Sequence, residues 1–525
     1  MTEPIASIET EAPAEVHAPP PAPKPPSNGG GVRTSYARKV RPGPGSDGPM
    51  RENALGPRER LEALCDAGSV HAIRSYAASG RLGAKAKPGD GVVGACATIE
   101  GRPVFCYAED GRFAGGSLGE AHAKTIVHVQ ELAAGAKVPV IGFIESAGAR
   151  MQEGSAALAG YARVFRASVY LSGKVPQISI VTGTSAGGGC YSPALTDFVF
   201  MTRHAAMFLT GPKVVHEVTG QEVSTEELGG AKVHERNGVC QFVVDSDLEA
   251  AKCARDLLSY LPQNAWSRPV RTVPERPPDG NPGSAIPREP GRIYDVRDVA
   301  GALVDSGRLL EVAPKWARNI VTALARMDGH PIGIVANQPR YLGGVIDADA
   351  AQKAARFVRV CNAFNLPLVV LVDTPGFLPG TKQEANGIIR HGAKLLHAFA
   401  AATVPKISLV LRQAYGGGYI TMNSQDLGAD FAFAWPRAKI GIMGPAQAVG
   451  IIHRRQIADA DDPAAELSRL ADVYADEQQE SWAAAREGVI DEILLPAETR
   501  RRLCAALDAL RIKAGPGGVF GNIPL

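Results

Sequence analysis

The feature of this 525-residue sequence that most constrains its fold is an internal repeat. In each half, an apolar run that ends at an acidic residue is followed by a turn of small residues, a helical segment, a second apolar run and three glycines. The apolar runs cover 138–145 and 175–181 in the first half, and 366–373 and 404–410 in the second. Prolines near the start of the two runs are 37 and 38 residues apart, and the glycine triplet begins 11 residues after the second proline in both halves. We therefore predict two copies of one strand–turn–helix–strand–turn–helix unit.

The apolar runs also indicate the type of sheet. Strands that are apolar throughout, rather than at alternate positions, are typical of parallel strands covered by helices on both faces. The helical segments between them supply the crossover connections that parallel strands need. The sequence therefore predicts an α/β fold.

Two proline-rich segments divide the chain. Residues 1–50 hold 11 of the 39 prolines, and this composition predicts a disordered tail. A second segment, 266–292, has seven prolines in 27 residues and is interpreted as an interdomain linker. We predict a first domain over 51–270 and a second over 271–525.

Composition excludes several classes of protein. Lys plus Arg number 56 and Asp plus Glu 54, so the net charge of +2 gives no global attraction to nucleic acid or to an anionic membrane. No apolar run approaches the roughly 18 residues of a membrane span, and the N-terminal residues lack the pattern of a signal peptide. The eight cysteines form no CxxC pair, which argues against a zinc ribbon and fits reduced thiols. We expect a cytoplasmic protein.

The glycine triplets, 187–189 and 416–418, are the candidate functional elements. A strand that runs through glycines into a helix presents backbone N–H groups at a helix N-terminus, where they bind an oxyanion. Close packing of helix and strand explains one triplet equally well, but two triplets at equivalent places favour the functional interpretation. Neither matches a phosphate loop or a dinucleotide fingerprint, and a GxSxG elbow is absent. Glu145 and Asp373 end their strands, and we expect them to bind the N–H groups of the following turn rather than to act as bases.

Several motifs resemble those of one family. They include GGSLGE at 115–120, GARMQEG at 148–154, YSPALTDF at 191–198 and DTPGFLPG at 373–380. Shorter matching stretches lie at 176–179, 186–188, 210–212, 227–231, 258–262, 387–390, 392–394, 414–417 and 443–444. Over about 56–525, the sequence resembles the carboxyltransferase β subunit of biotin-dependent acyl-CoA carboxylases, the propionyl-CoA carboxylase β group in particular.

The resemblance implies two tandem crotonase-like (ClpP/crotonase) ββα-superhelix domains in a homo-oligomer, usually a hexamer. A site forms between the N-terminal domain of one subunit and the C-terminal domain of another. Carboxybiotin on a carrier protein releases CO2, its ureido nitrogen removes the acyl α-proton, and the enolate attacks CO2. The chain has no biotinylation motif and no ATP-binding loop. It therefore implies a separate biotin carboxylase and biotin carboxyl carrier (α) subunit, with acyl-CoA as substrate and no metal.

By position, the resemblance also assigns site residues. The oxyanion donors are Gly187 and Gly188 on the acyl-CoA side, and Gly417 and Gly418 on the carboxybiotin side. Substrate contacts are expected from Ala149, Arg150, Ala186, Tyr191 and Ile420. An apolar residue at position 420 suggests a neutral acyl chain, although simple packing explains it as well. Pro445 departs from the family pattern, and the sequence offers no explanation for it.

Two other functions stay open. A decarboxylase of malonyl- or methylmalonyl-thioesters would use the same oxyanion sites in reverse, and the sequence does not set the direction. A noncatalytic assembly subunit is the third possibility, and the two intact glycine pairs argue against it.

The glycine assignment predicts the effect of a bulky substitution. Gly187→Val or Gly417→Val should abolish carboxyl transfer, because the side chain would block or displace the backbone donors. The oligomer should survive, and size-exclusion chromatography measures this alongside activity. Full activity in either variant would contradict the assignment.

Overall fold

Two sheets of similar build organise the part of the chain that the computed structural model describes, residues 54–289, 291–513 and 520–522. The predicted tail, 1–50, lies outside these residues. The strands of the first sheet are β1 (His71–Ile73), β2 (Val92–Ile99), β3 (Arg102–Glu109), β4 (Val140–Ser146), β5 (Gln177–Ala186), β6 (Phe198–Thr202), β7 (Ala206–Phe208) and β8 (Phe242–Val244). Those of the second are β9 (Leu310–Glu311), β10 (Ile320–Met327), β11 (His330–Asn337), β12 (Leu368–Thr374), β13 (Lys406–Tyr415), β14 (Phe431–Ala434), β15 (Lys439–Gly441) and β16 (Glu492–Ile493).

The order of strands confirms the internal repeat. The first sheet runs β1-β2-β3-β4-β5-β6-β8, with β7 beside β5. The second runs β9-β10-β11-β12-β13-β14-β16, with β15 beside β13. In each sheet the first three strands are antiparallel and the remaining pairings are parallel. The α/β class with parallel-rich sheets is therefore confirmed, and it has the crotonase-like form that the resemblance implied.

Helices cover the sheets and connect the parallel strands. In the first half they are α1 (Pro57–Leu64), α2 (Glu120–Ala136), α3 (Ser155–Leu171), α4 (Gly188–Ala194), α5 (Pro212–Thr219), α6 (Thr225–Gly229), α7 (Ala231–Asn237) and α8 (Asp247–Tyr260). In the second they are α9 (Val296–Leu303), α10 (Ala348–Ala363), α11 (Thr381–Ala385), α12 (Ile388–Ala401), α13 (Gly416–Thr421), α14 (Pro445–Ile452), α15 (Arg454–Ala458), α16 (Pro463–Tyr474), α17 (Ser481–Arg486) and α18 (Thr499–Ala509). None of these helices combines the length and apolarity needed to cross a membrane.

Buried strands and shared helices hold the halves together. Every residue of β12 is buried, as expected for a parallel strand with helices on both faces. Residues of β4, α8, α10 and β12 belong to one continuous apolar core, so the two halves share it. The proline-rich segment predicted as a linker carries no strand or α-helix over its described residues, 266–289 and 291–292, and the N–H of Thr272 in it donates to the carbonyl of Gly329. The domain boundary at 270 stays a prediction.

A left-handed turn before α2 recurs before α10. Ala114, Gly115 and Gly116 have φ values of 51°, 65° and 71°, and the turn at 342–344 repeats them with 51°, 63° and 79°. A Cβ on Gly116 would lie 2.0 Å from the carbonyl oxygen of Glu145. The turn therefore packs directly on the end of β4, and only glycine fits at its third position.

This contact predicts unequal effects of two neighbouring substitutions. Gly115→Ala should lower the free energy of unfolding by about 1–2 kcal/mol, because an alanine at this position must adopt the left-handed backbone conformation. Its Cβ would contact only the Cβ of Ala147, at 3.4 Å. Gly116→Ala carries the same strain plus the overlap with the strand, which adds about 1–3 kcal/mol. Urea unfolding of both variants measures the difference. Equal midpoints would contradict the packing argument.

Candidate functional site

The candidate site in each half lies where two neighbouring parallel strands end. β4 and β5 are parallel neighbours, so their carboxyl ends meet at the same edge of the first sheet. The turn after β4 touches the end of β5, since a Cβ on Gly148 would lie 3.2 Å from the carbonyl oxygen of Ala186. The equivalent turn after β12 lies beside the end of β13, with 3.7 Å between a Cβ on Gly376 and the carbonyl oxygen of Tyr415.

Two backbone N–H groups are available at the first strand ends. The N–H of Leu118 donates to the carbonyl of Gly148, and the carbonyl of Leu118 accepts from the N–H of Arg150. In this parallel bridge, the N–H of Ala149 points away from Leu118. Gly188 begins α4, and the first N–H groups of a helix have no partner within it. Among the described residues, neither the N–H of Ala149 nor that of Gly188 donates a hydrogen bond. We call these two groups the first donor pair.

The second half repeats this arrangement. Ile346 donates to the carbonyl of Gly376 and accepts from the N–H of Leu378, which leaves the N–H of Phe377 in the place of that of Ala149. Gly417, in the first turn of α13, matches Gly188. Neither of these N–H groups has an acceptor within the described part of the chain. The N–H groups of Phe377 and Gly417 form the second donor pair.

The structure changes the predicted use of the glycines. Gly187 and Gly416 occupy equivalent positions, with φ values of 55° and 57°. The predicted pairs 187–188 and 417–418 are therefore not equivalent, because the second begins one residue later in its repeat than the first. The N–H of Gly187 donates to the carbonyl of Phe208 in β7 at 3.0 Å and is not available to a ligand, which corrects the expectation for this residue. Gly418 is buried, and a Cβ there would lie 2.7 Å from the Cα of Gly376. Its role as a donor stays a prediction.

Three other predicted residues line the same strand ends. Ala186 is the last residue of β5 and is partly buried. Tyr191 and Ile420 each lie three residues after the glycine of a donor pair, and each is 49% exposed. The two side chains therefore flank equivalent donor pairs on different sheets. Their contact with substrate stays a prediction.

Arg150 does not reach the surface, which corrects its expected substrate contact. Its side chain is fully buried, and Nη1 pairs with Asp90 at 2.7 Å and with Glu153 at 2.9 Å. Nη2 donates to the carbonyls of Asp90 and Ser117. Arg150 thus ties the segment before β2 to the turn after β4. These contacts fix the turn that carries the N–H of Ala149.

The two strand-end acids are engaged in ion pairs rather than in turn capping. Glu145 pairs with Arg60 at 3.1 Å, and Asp373 pairs with Arg412 at 3.1 Å. Asp373 also accepts from the hydroxyl of Tyr294, while burial raises the pKa of this acid. The expected capping of the next turn is therefore wrong for both acids.

The hydroxyl residue after each acid binds the turn instead. Ser146 Oγ accepts from the N–H of Gly148 at 3.3 Å, and Thr374 Oγ1 accepts from that of Gly376 at 3.2 Å. A hydroxyl at the same place in both repeats was the sequence signal for this contact. Aligning the repeats would also have shown Phe377 opposite Ala149. Within the described residues, no group of three or more His, Cys, Asp or Glu side chains is arranged to hold a metal ion.

The structure explains Pro445. It is the first residue of α14, after Gly444, just as Pro212 is the first residue of α5, after Gly211. Proline is favoured there because its missing N–H would have no partner in the helix. Pro445 is therefore the second copy of a helix start that the first half already has.

Comparison with known proteins identifies relatives over nearly the whole chain. A family model described as "Carboxyl transferase domain" matches residues 50–515. The carboxyltransferase subunit of propionyl-CoA carboxylase from Haloferax mediterranei is 45% identical over 479 residues, which cover 89% of this chain and 93% of that protein. The α subunit of methylmalonyl-CoA decarboxylase from Propionigenium modestum is 42% identical over 89% of this chain and 93% of its own. A crystal structure of the transcarboxylase 12S hexamer, with methylmalonyl-coenzyme A and methylmalonic acid bound, superposes with a TM-score of 0.85 at 44% identity, covering 89% of this chain and 92% of that one.

The buried ion pairs of Arg150 predict a large loss of stability. Arg150→Met leaves Asp90 and Glu153 buried without their cation, which costs about 3–5 kcal/mol. Arg58→Met is the control, because Arg58 forms an exposed pair with Glu62 and should barely move the unfolding midpoint. Urea unfolding measures both variants. Similar midpoints would show that the buried cluster does not stabilise the turn.

The Arg150→Met substitution should also change the pH at which the protein unfolds in acid. Burial raises the pKa of Glu153, but hydrogen bonds from the Glu120 N–H, Ser79 and Arg150 lower it below its usual value overall. A carboxyl with a lowered folded-state pKa stabilises the fold above its unfolded pKa, and that contribution is lost as pH falls through the folded value. Arg150→Met removes one cause of the lowering. We therefore expect acid unfolding of this variant at a higher pH than in the unsubstituted chain.

Proposed function

The chain belongs to the carboxyl transferase domain family, and from that premise we propose that it moves CO2 from carboxybiotin to the α-carbon of a short acyl-CoA. The observation that carries the proposal is the pair of donor sites, one at equivalent strand ends in each half. Each offers two backbone N–H groups without an acceptor among the described residues. Such a site suits an oxygen on which negative charge develops during the reaction.

The first donor pair is assigned to the acyl thioester. Removing the α-proton places negative charge on the thioester oxygen, and the N–H groups of Ala149 and Gly188 stabilise that charge. Fixed backbone donors suit this task because they need no reorganisation as the charge forms. Tyr191, half exposed beside Gly188, is proposed to contact this substrate.

The second donor pair is assigned to the biotin ring. Carboxybiotin, a substrate carried by a separate protein, supplies the CO2 and then the ureido nitrogen that takes the α-proton. The N–H groups of Phe377 and Gly417 fit the urea oxygen, where negative charge develops as CO2 leaves. The chain's own strand-end acids are engaged by Arg60 and Arg412, which supports a reaction without a side-chain base.

Exposed apolar side chains beside both donor pairs support an assembly in which one copy completes the site of another. Leu209 and Ile442 are equivalent residues after β7 and β15, and they are 57% and 78% exposed. With Tyr191 and Ile420 they surround the two glycine turns. We propose that the first half of one copy faces the second half of another within a hexamer, the assembly recorded for transcarboxylase 12S. A biotin carboxylase and a biotin carrier are the proposed further partners, and a cytoplasmic location stays a prediction.

Decarboxylation is the second candidate function. The methylmalonyl-CoA decarboxylase relative supports it, because loss of CO2 from a malonyl-type thioester forms the same enolate. The first donor pair would stabilise that enolate in either direction.

An acyl-CoA panel tests the proposal. We expect the full chain, combined with a purified biotin carboxylase and biotin carrier protein, to fix labelled bicarbonate onto acetyl-CoA or propionyl-CoA. Butyryl-CoA and a long-chain acyl-CoA measure how chain length limits the reaction, and the neutral side chain of Ile420 favours an uncharged acyl chain. The control omits the carrier protein. Loss of CO2 from methylmalonyl-CoA without fixation on any acyl-CoA would favour the second candidate instead.

A further inference from the structure

The two donor pairs have the same backbone but different side-chain supports. In the first half, the ring of Tyr161 on α3 lies against the donor glycine, since a Cβ on Gly188 would be 2.8 Å from that ring. In the second half, the ring that lies beside Gly417 belongs to Phe377, at 3.7 Å from the corresponding Cβ. The aromatic ring therefore comes from a helix in one half and from the donor turn in the other.

Small residues make room for each ring. Gly392 on α12, the counterpart helix of α3, faces the ring of Phe377, and a Cβ there would lie 3.1 Å from it. In the first half the residue at the position of Phe377 is Ala149, which leaves the space that Tyr161 fills. Large and small side chains are thus exchanged between helix and turn, while the backbone donors keep their places.

The hydroxyl of Tyr161 adds a contact that Phe377 lacks. It lies 3.0 Å from Ser146 Oγ, which is 2.9 Å from the carbonyl of Gly116 and 3.3 Å from the N–H of Gly148. A serine hydroxyl has one hydrogen, and that of Ser146 is donated to the carbonyl of Gly116. Tyr161 must therefore donate to Ser146, whose two acceptor sites are then filled by Tyr161 and the N–H of Gly148. Burial raises the pKa of Tyr161, which keeps the phenol protonated as a donor.

We propose that Tyr161 is a positioning residue of the first donor pair. Its ring holds the peptide of Gly188, and its hydroxyl, through Ser146, holds the turn that carries the N–H of Ala149. One buried side chain thereby sets the relative position of two donors that belong to different strands. This inference rests on the proposed function, because it assigns the first donor pair to the acyl oxygen.

The expected effect lies on the chemical step. A donor pair displaced by a fraction of an ångström still binds the thioester, but it loses stabilisation of the developing charge. Tyr161 is buried and presents almost no surface to a substrate, so loss of its hydroxyl should lower kcat and leave KM nearly unchanged.

Transfer from methylmalonyl-CoA to free biotin, catalysed by the full chain, is the test reaction. The carboxyl group leaves C2 of methylmalonyl-CoA and bonds to N1 of biotin, while the N1 proton goes to C2. We expect Tyr161→Phe to lower kcat about tenfold, the effect of one lost hydrogen bond, with KM for both substrates within about twofold. Tyr107→Phe is the matched control, because Tyr107, on β3, is as buried as Tyr161 but packs against Gly142, away from the donors.

Two further comparisons of variants separate positioning from general stability. Ser146→Ala should lower kcat as Tyr161→Phe does, and the double variant should be no slower than Ser146→Ala alone, since both act through one chain of contacts. The pair Ala149→Phe with Tyr161→Gly copies the support of the second half and should recover activity relative to Tyr161→Gly. Additive losses, or a Tyr161→Phe enzyme with the kcat of Tyr107→Phe, would overturn the positioning role alone. An unsubstituted chain that transfers nothing would overturn the proposed function and this inference together.

Discussion

In both sheets, the strand pairing that carries the donor turns loses its register just before it ends. The pairing of β4 with β5 shifts between Ile144 and Ser146, and that of β12 with β13 shifts between Val372 and Thr374. Such irregularities bend a strand and stop the regular ladder, and they are common beside active sites. Because the regular ladder stops there, strand pairing leaves the N–H groups of the two donor pairs without an acceptor among the described residues. The two donor pairs depend on this interruption, and the left-handed turn at Gly116 packs on the same strand end.

The two halves share the backbone arrangement of the donor pairs but differ in the side chains that pack around them. The strand-end acid is held by Arg60 from α1 in the first half and by Arg412 from β13 in the second. The ring beside the donor glycine comes from Tyr161 in one half and from Phe377 in the other. Equivalent backbone donors can therefore sit in pockets of different shape and polarity. A duplicated fold needs this difference if its two copies are to hold two unlike oxygens, one of a thioester and one of a urea.

The sequence repeat was enough to predict the parallel sheets, the helix after each strand and the position of the glycine turns, because these follow from local patterns of apolar and small residues. It was not enough for the hydrogen bonds of the turns. The N–H of Gly187 is taken by Phe208 in β7, a three-residue strand too short to leave a pattern. Arg150 is buried because Asp90, 60 positions away, supplies its partner. Contacts of that kind depend on the assembled fold, and residue type alone does not reveal them.

The role proposed for the donor pairs also accounts for relatives at more than 40% identity that are named for reactions in opposite directions. A site that stabilises an enolate lowers the barrier to carboxylation of that enolate. It also lowers the barrier to decarboxylation, which forms the same enolate with the same charged oxygen. No residue of a donor pair can therefore encode direction. Under the proposed function, direction comes from what the second site receives, a carboxylated carrier or an empty one, and from the free energy used elsewhere to carboxylate it. In that proposal the fold supplies the chemistry common to both directions, and the partner supplies the difference between them.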